Sequence, residues 1–180
     1  MTQTDAEHAE QIRDLIRDIP DFPSPGIMFR DITTVLKDAT AWRSVVDRMC
    51  LAAEGDRADV IVGTEARGFI LGAAMAYHLG VGFIPVRKPG KLPADVHAVS
   101  YDLEYGSDAL EIHKDALGPG HRVLIVDDLL ATGGTAAATA DLVAECGAQI
   151  TGLSFLIELL ALDGRPALPS EIPVHSLISY

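Results

Sequence analysis

The chain has 180 residues and is 48% apolar. That suits one domain over 1–180 at a prior of ~150 residues each, and no apolar run reaches the ~18 residues of a membrane span. The net charge of −12 steers nucleic acid away, so any anionic ligand must be held by local donors. The first residues, Met1 to His8, are polar and lack a basic-then-apolar leader pattern; the expectation is a cytoplasmic protein. Cys50 and Cys146 fall in helical patterns and are expected as free thiols rather than a disulfide or a metal site.

In chain order, residues 5–19 place Ala9, Ile12, Leu15, Ile16 and Ile19 on one helical face. Residues 20–34 follow, with prolines 20, 23 and 25 and Gly26 forbidding a regular element across 20–26. Ile27, Met28 and Phe29 are then apolar residues on an irregular segment. Two readings fit: a loop plugging its own core, or a lid over a flat apolar ligand with Phe29 as a stacking face. Residues 40–53 form a second helix around Trp42, Val45, Val46, Met49 and Leu51.

Residues 59–63 form a short apolar strand running into Thr64-Glu65-Ala66-Arg67-Gly68 and a helix to Leu79. Arg67 sets a cation against the positive end of that helix. Local conflicts of this kind mark function, and an anion bound between the turn and Arg67 would resolve it. Residues 82–87 form a third strand. Arg87, Lys88 and Lys91 then place three cations in five residues of an acidic chain, as a solvated charged loop or as a clamp for pyrophosphate. The loop shows no apolar periodicity through His97 and is expected to be mobile. Residues 101–113 alternate about Gly106-Ser107 as a β-hairpin, a candidate lid. Alternation alone puts Glu104 on its solvated face. The six histidines form no pair at metal-ligand spacing.

Residues 123–126, Val-Leu-Ile-Val, suit a strand buried on both faces. Asp127 and Asp128 stand at its carboxyl end, followed by Ala131-Thr132-Gly133-Gly134-Thr135 and a helix over 136–146 stopped by Gly147. Two glycines let successive N–H groups converge on one ligand, and the helix adds its free donors and dipole. The two threonines can add hydroxyls. This turn suits a phosphate, whereas the acids need hydroxyls or a metal ion: together, a ribose 5-phosphate. There is no Lys after the glycines, which excludes the G-x-x-x-x-G-K-[ST] loop, and G-x-G-x-x-G is absent from the motif. Residues 150–156 form a further strand with Glu158 near its end, and 174–180 alternates as an edge strand.

Val-Asp-Asp-Leu-Leu-Ala-Thr-Gly-Gly-Thr resembles the 5-phosphoribosyl pyrophosphate (PRPP) motif of the type I phosphoribosyltransferases, in the form found in the adenine phosphoribosyltransferases. Three further segments resemble that family: Asp-Phe-Pro-Ser-Pro-Gly-Ile-Met-Phe-Arg-Asp-Ile at 21–32, Gly-Thr-Glu-Ala-Arg-Gly-Phe at 63–69, and Arg-Lys-Pro-Gly-Lys-Leu-Pro at 87–93. A fourth, Leu-Glu-Tyr-Gly with Leu-Glu-Ile after it, lies within 103–112, so the likeness spans about 21–160.

The resemblance implies an N-terminal hood over about 20–34, with Met28, Phe29 and Arg30 framing adenine, and a mobile loop and hairpin lid over about 88–113. It implies that Glu65, Ala66, Arg67, Arg87, Lys88 and Lys91 serve pyrophosphate. Asp127 and Asp128 would hold the ribose, and Ala131 to Thr135 the 5-phosphate of PRPP or AMP. Glu104 would be the acid/base group, Tyr105 would aid closure and Arg67 would assist catalysis. Mg²⁺ would be carried mainly by PRPP or pyrophosphate, with no direct side-chain ligation.

The expected fold is α/β: a mostly parallel twisted sheet with helices on both faces, plus hood and lid. The loops at 64–68, 87–91 and 127–135 all follow strands and so converge on one edge. The expected activity is transfer of the phosphoribosyl group of PRPP to adenine, giving AMP and pyrophosphate in purine salvage, by a homodimer. The rivals are a non-catalytic sensor of PRPP or nucleotide on the same fold, and a transferase for another purine.

Overall fold

A computed structural model describes residues 3–102 and 107–180, in two compact units, 1–48 and 49–180.

In the first unit, α1 (Gln3–Leu15) leads into β1 (Arg17–Pro20), which pairs antiparallel with β2 (Met28–Asp31). Two expectations change here. The first helix ends at Leu15 rather than 19, because Pro20 disfavours helical backbone at Ile19 and the strand pairing claims Arg17 onward. Residues 28–31 are likewise a strand and not irregular. The prolines and glycine occupy the turn instead, where Asp21 and Gly26 take positive φ and Asp21 Oδ1 accepts from Gly26 N at 2.7 Å. Asp31 anchors the pair: Arg17 Nε donates to its Oδ2 at 3.0 Å and Thr33 N to its Oδ1 at 2.9 Å. The short helix α2 (Thr33–Leu36) follows. Asp38 caps α3 (Ala39–Ala52), accepting from the N–H groups of Thr40 and Ala41.

The second unit is built on a five-stranded parallel sheet of β3 (Val60–Thr64), β4 (Gly82–Val86), β7 (Arg122–Leu130), β8 (Gln149–Glu158) and β9 (Val174–Ser179), in the order β4-β3-β7-β8-β9. The central strands are buried on both faces, as their unbroken Val/Ile/Leu runs require. β3–α4–β4 steps outward one way, with α4 at Arg67–Leu79; β7–α5–β8 steps the other way, with α5 at Gly134–Glu145. Right-handed crossovers in opposite directions put the two helices on opposite faces. The direction in which successive strands are added therefore reverses between β3 and β7, and the crevice beyond their carboxyl ends is where such sheets bind ligands.

A separate antiparallel pair, β5 (Val96–Asp102) with β6 (Ser107–His113), joins the sheet through the Arg87↔Glu111 bridge. The hairpin arms are thus longer than the alternation suggested: the stretch before 101, read as part of a loop, is strand from Val96 because its partner runs to His113. β7 is longer too. It carries Asp127 and Asp128 within the ladder, up to the pair Leu130↔Glu158. The β9 edge strand is as expected, and neither Cys50 nor Cys146 is in a disulfide. No helix among the described residues is long and apolar enough to cross a membrane.

Candidate active site

The switch-point crevice is an open cleft of about 330 Å³. Its floor is the end of β7. One wall is the turn from Ala131 to Thr135 leading into α5, the other is Glu65, Ala66 and Arg67 ahead of α4, and Lys88, Tyr101 and Asp108 stand across the mouth. Eleven of the sequence-selected residues thus face one cavity: Glu65, Ala66, Arg67, Lys88, Asp127, Asp128 and the five from Ala131 to Thr135.

The turn at 131–135 has the composition expected of an anion nest. Gly133 precedes α5 with φ 87°, a left-handed conformation that glycine adopts without strain. No acidic side chain stands in the first turn of α5, so its N-terminal donors and dipole are uncompensated. A ladder of hydroxyls ties this turn to the neighbouring strand: Thr139 Oγ1 donates to Thr135 O at 2.9 Å and lies 3.3 Å from Thr64 Oγ1.

The acid pair sits at the junction of the two walls. Asp127 Oδ1 accepts from Asp128 N at 2.8 Å. A Cβ on Gly68 would come 2.9 Å from that Asp127 Oδ1 and from Val126 O, so only glycine lets α4 start this close to β7. Burial pushes the Asp127 carboxyl well above its usual range, and the Asp128 charge adds to this. Asp128 is raised by burial and partly restored by Arg67, whose Nε lies 2.8 Å from its Oδ2. Hydroxyl donors from a diol would relieve both carboxylates.

The cations in and beside the cleft are held by carboxylates. Arg67, at the first position of α4, meets Asp128; the conflict with the helix dipole is resolved from inside the chain, not only by a bound anion. Arg87 forks onto Glu65, Nε to Oε2 at 3.2 Å and Nη2 to Oε1 at 3.3 Å, and this pairing holds the Glu65 carboxyl below its usual range. Lys88 Nζ lies 3.1 Å from Asp108 Oδ2, which raises the ammonium. Arg87 does not line the cleft; its Nη1 donates instead to the Lys91 carbonyl at 3.3 Å. The Lys91 side chain is not part of the cleft lining either.

Met28, Phe29 and Arg30 lie together on β2 in the first unit. Phe29 packs edge-on against Phe22, with ring centroids 5.1 Å apart, and Arg30 pairs with Asp18. Glu104 and Tyr105 lie outside the described residues. Sequence reasoning missed Tyr101, whose hydroxyl accepts from Thr135 Oγ1 at 3.3 Å, and Asp108. The signal for Asp108 was present: it shares strand phase with Leu110 and Ile112, both fully buried, so a carboxylate stands on an apolar face.

For a metal ion, no group of three or more His, Cys, Asp or Glu side chains with suitable geometry occurs among the described residues. The carboxylates that line the cleft are Glu65, Asp108, Asp127 and Asp128, the first two paired with Arg87 and Lys88 and the last with Arg67. Such a donor set suits a Mg²⁺ that arrives with a polyphosphate and keeps several of its own ligands.

A sequence model of the phosphoribosyl transferase domain matches residues 41–172. The chain belongs to this phosphoribosyltransferase family. Its similarity to individual members runs nearly end to end: it is 62% identical to an adenine phosphoribosyltransferase of a Synechococcus strain, over 94% of this chain and 98% of that protein. Among solved members, an adenine phosphoribosyltransferase from Thermoanaerobacter pseudethanolicus superposes with TM-score 0.93 at 55% identity, covering 96% of this chain and 99% of that one. The Saccharomyces cerevisiae enzyme, solved with an imino-altritol bisphosphate and adenine, superposes with TM-score 0.91 at 41% identity over 96% and 99% of the two chains.

Proposed function

We propose that the protein transfers the 5-phosphoribosyl group of PRPP to adenine, releasing AMP and pyrophosphate, and that the whole chain works as one transferase domain. The observation that carries this reading is the single cleft in which the α5 nest, the Asp127–Asp128 pair and the Arg67/Lys88 cations face one another. PRPP needs those three surfaces: donors for a monophosphate, acceptors for a diol and cations for a diphosphate.

In this reading the nest from Ala131 to Thr135 takes the 5-phosphate, and Asp127 and Asp128 accept from the ribose hydroxyls. Arg67 and Lys88, with Glu65 and Ala66, serve pyrophosphate from the cleft lining, and Arg87 and Lys91, outside that lining, add positive charge beside it. The base nitrogen forms a bond to the anomeric carbon while the bond from that carbon to pyrophosphate breaks, its electron pair leaving with pyrophosphate. Negative charge grows on the leaving group, where fixed cations are worth most. Positive charge grows on the ribose, beside the two carboxylates. Mg²⁺, held chiefly by the oxygens of PRPP with Asp127 and Asp128 nearby, would neutralise part of the diphosphate charge. Glu104 takes the proton that the purine nitrogen loses, and Tyr105 aids closure of the 88–113 lid against water. Met28, Phe29 and Arg30 of the 20–34 hood frame the adenine.

A homodimer in the cytoplasm completes the proposal. Ile70 and Tyr77, one heptad apart on α4, are 44% and 91% exposed, an apolar strip that a second subunit would cover. Two cysteines outside any disulfide suit a reducing compartment. Incubating the pure protein with PRPP, Mg²⁺ and each purine base in turn tests the activity. AMP formed from adenine well ahead of the other bases supports it; no nucleotide from any base would refute it.

A further inference from the structure

Glu158 closes β8 as a buried carboxylate that the mechanism above does not use. Arg165 engages both of its oxygens: Nε donates to Oε1 and Nη2 to Oε2, each at 2.7 Å. The remaining nitrogen, Nη1, donates to Val174 O at 3.2 Å. The hydrogen bond from Arg165 holds the Glu158 carboxyl below its usual range. A planar fork of this kind fixes direction as well as distance, which an ammonium does not.

Arg165 begins the second of two 3₁₀ turns, Leu160–Leu162 and Arg165–Ala167, and Gly164 stands directly before it. Gly164 has φ −74° and ψ −19°, a conformation open to any residue. Space, not backbone angle, demands glycine there. A Cβ on Gly164 would strike Ala131 O and come 3.1 Å from Gly133 N. A Cβ on Gly133 would in turn strike Gly164 O and come 2.9 Å from Ala167 Cβ. The two backbones therefore touch directly. Ala131 and Gly133 line the cleft, whereas Gly164 and Arg165 do not, so the contact is made from behind the nest.

We propose that the Glu158–Arg165 fork is a brace that sets the position of the phosphate nest through Gly164, making Gly164 and Arg165 positioning residues for the 5-phosphate. The inference rests on the reading of residues 131–135 as the 5-phosphate site. A glycine-rich turn has several backbone conformations of similar energy, and only one aligns its N–H groups on an anion. A rigid backstop removes the others before the ligand arrives, which is preorganisation. The brace therefore governs ligands that carry a 5-phosphate and leaves the free base untouched.

The test compares wild type, Gly164→Ala, Arg165→Lys and the control Gly118→Ala, whose added methyl meets nothing within 4 Å. AMP affinity is measured by calorimetry, KM for PRPP and for adenine by initial rates, and stability by denaturant titration. Gly164→Ala and Arg165→Lys are expected to weaken AMP binding and raise KM for PRPP by ~10-fold or more, the loss expected when a supporting shell lets a site loosen. KM for adenine and kcat at saturating PRPP should stay within about twofold, since no group touching the reacting atoms is changed. Gly118→Ala should match wild type throughout. A merely structural brace would lower stability and leave the AMP and PRPP constants unchanged, and that result overturns the proposal. If Arg165→Lys fails to fold, Gly164→Ala decides alone: folded and binding AMP normally, it overturns the proposal. Wild-type protein that makes nucleotide yet does not need the 5-phosphate for binding, adenosine competing as well as AMP, would overturn the reading of the nest and the brace with it.

Discussion

Arg67 Nε lies 2.8 Å from Asp128 Oδ2, and this contact joins one wall of the cleft to its floor. The arginine starts α4, the aspartate belongs to β7, and each is out of place without the other: a cation at a helix N-terminus and a buried carboxylate. Removing either therefore harms both the proposed pyrophosphate and ribose contacts. Arg67→Ala and Asp128→Asn are each expected to lower kcat/KM for PRPP by ~10²-fold or more, as for loss of one preorganised charge in a site. The double variant should lose much less than the product of the single losses. Strictly multiplicative losses would show that the contact carries no function.

Gly133→Val meets two barriers at once. The φ of 87° is a severe outlier for a β-branched residue, and the new Cβ collides with Gly164 O. Binding of AMP and of PRPP should be abolished together. Calorimetry with AMP on variant protein that retains the wild-type circular dichroism spectrum checks this; unchanged affinity would remove the nest from the site.

Glu104→Gln keeps the shape of the side chain and removes its ability to take a proton. Turnover should fall by ~10²-fold or more with PRPP affinity nearly unchanged. The measurement is single-turnover, because slow product release can hide a chemical step in kcat. Wild-type single-turnover rates in the variant would leave Glu104 without a role in proton transfer.

Asp31 gives a pH dependence in the first unit. The hydrogen bond from Arg17, followed by that from Thr33 N, lowers its pKa from 3.8 to about 2. A lowered carboxyl stabilises the fold fully above the unfolded value and loses that contribution as pH falls through the folded value. Arg17 is 58% exposed, so solvent screening limits the gain to about 1 kcal/mol. The stability difference between wild type and Asp31→Asn, from urea titrations, should be constant above pH 5 and shrink between about pH 4 and pH 2. A difference that does not change over that range would exclude the Arg17–Asp31 pair as its source.

Much of this protein was legible in its sequence because the signals are local. Val123 to Val126 read as a doubly buried strand from their side chains alone, and the glycines and threonines after it announced a tight turn and a helix start. Strand–helix alternation gave the parallel sheet, since crossover handedness leaves few alternatives. Where local signals competed with pairing, pairing won. Ile16 and Ile19 continue a helical stripe, yet β1 begins at Arg17 because β2 offers it a partner. Val96 begins β5 for the same reason, with His113 opposite.

The amino-acid sequence by itself determined which residues carry charge, which turns need glycine, and that several strand-following loops meet at one sheet edge. Only the tertiary structure decided who neutralises whom. Arg87 turns to Glu65, Lys88 to Asp108 and Arg67 to Asp128, across separations of 22, 20 and 61 residues. No periodicity encodes such pairs, because they arise when strands distant in the chain are brought into one sheet. The same holds for Gly164. Its backbone angles would accept any residue, and the requirement for glycine appears only when the chain after β8 folds back against the turn after β7.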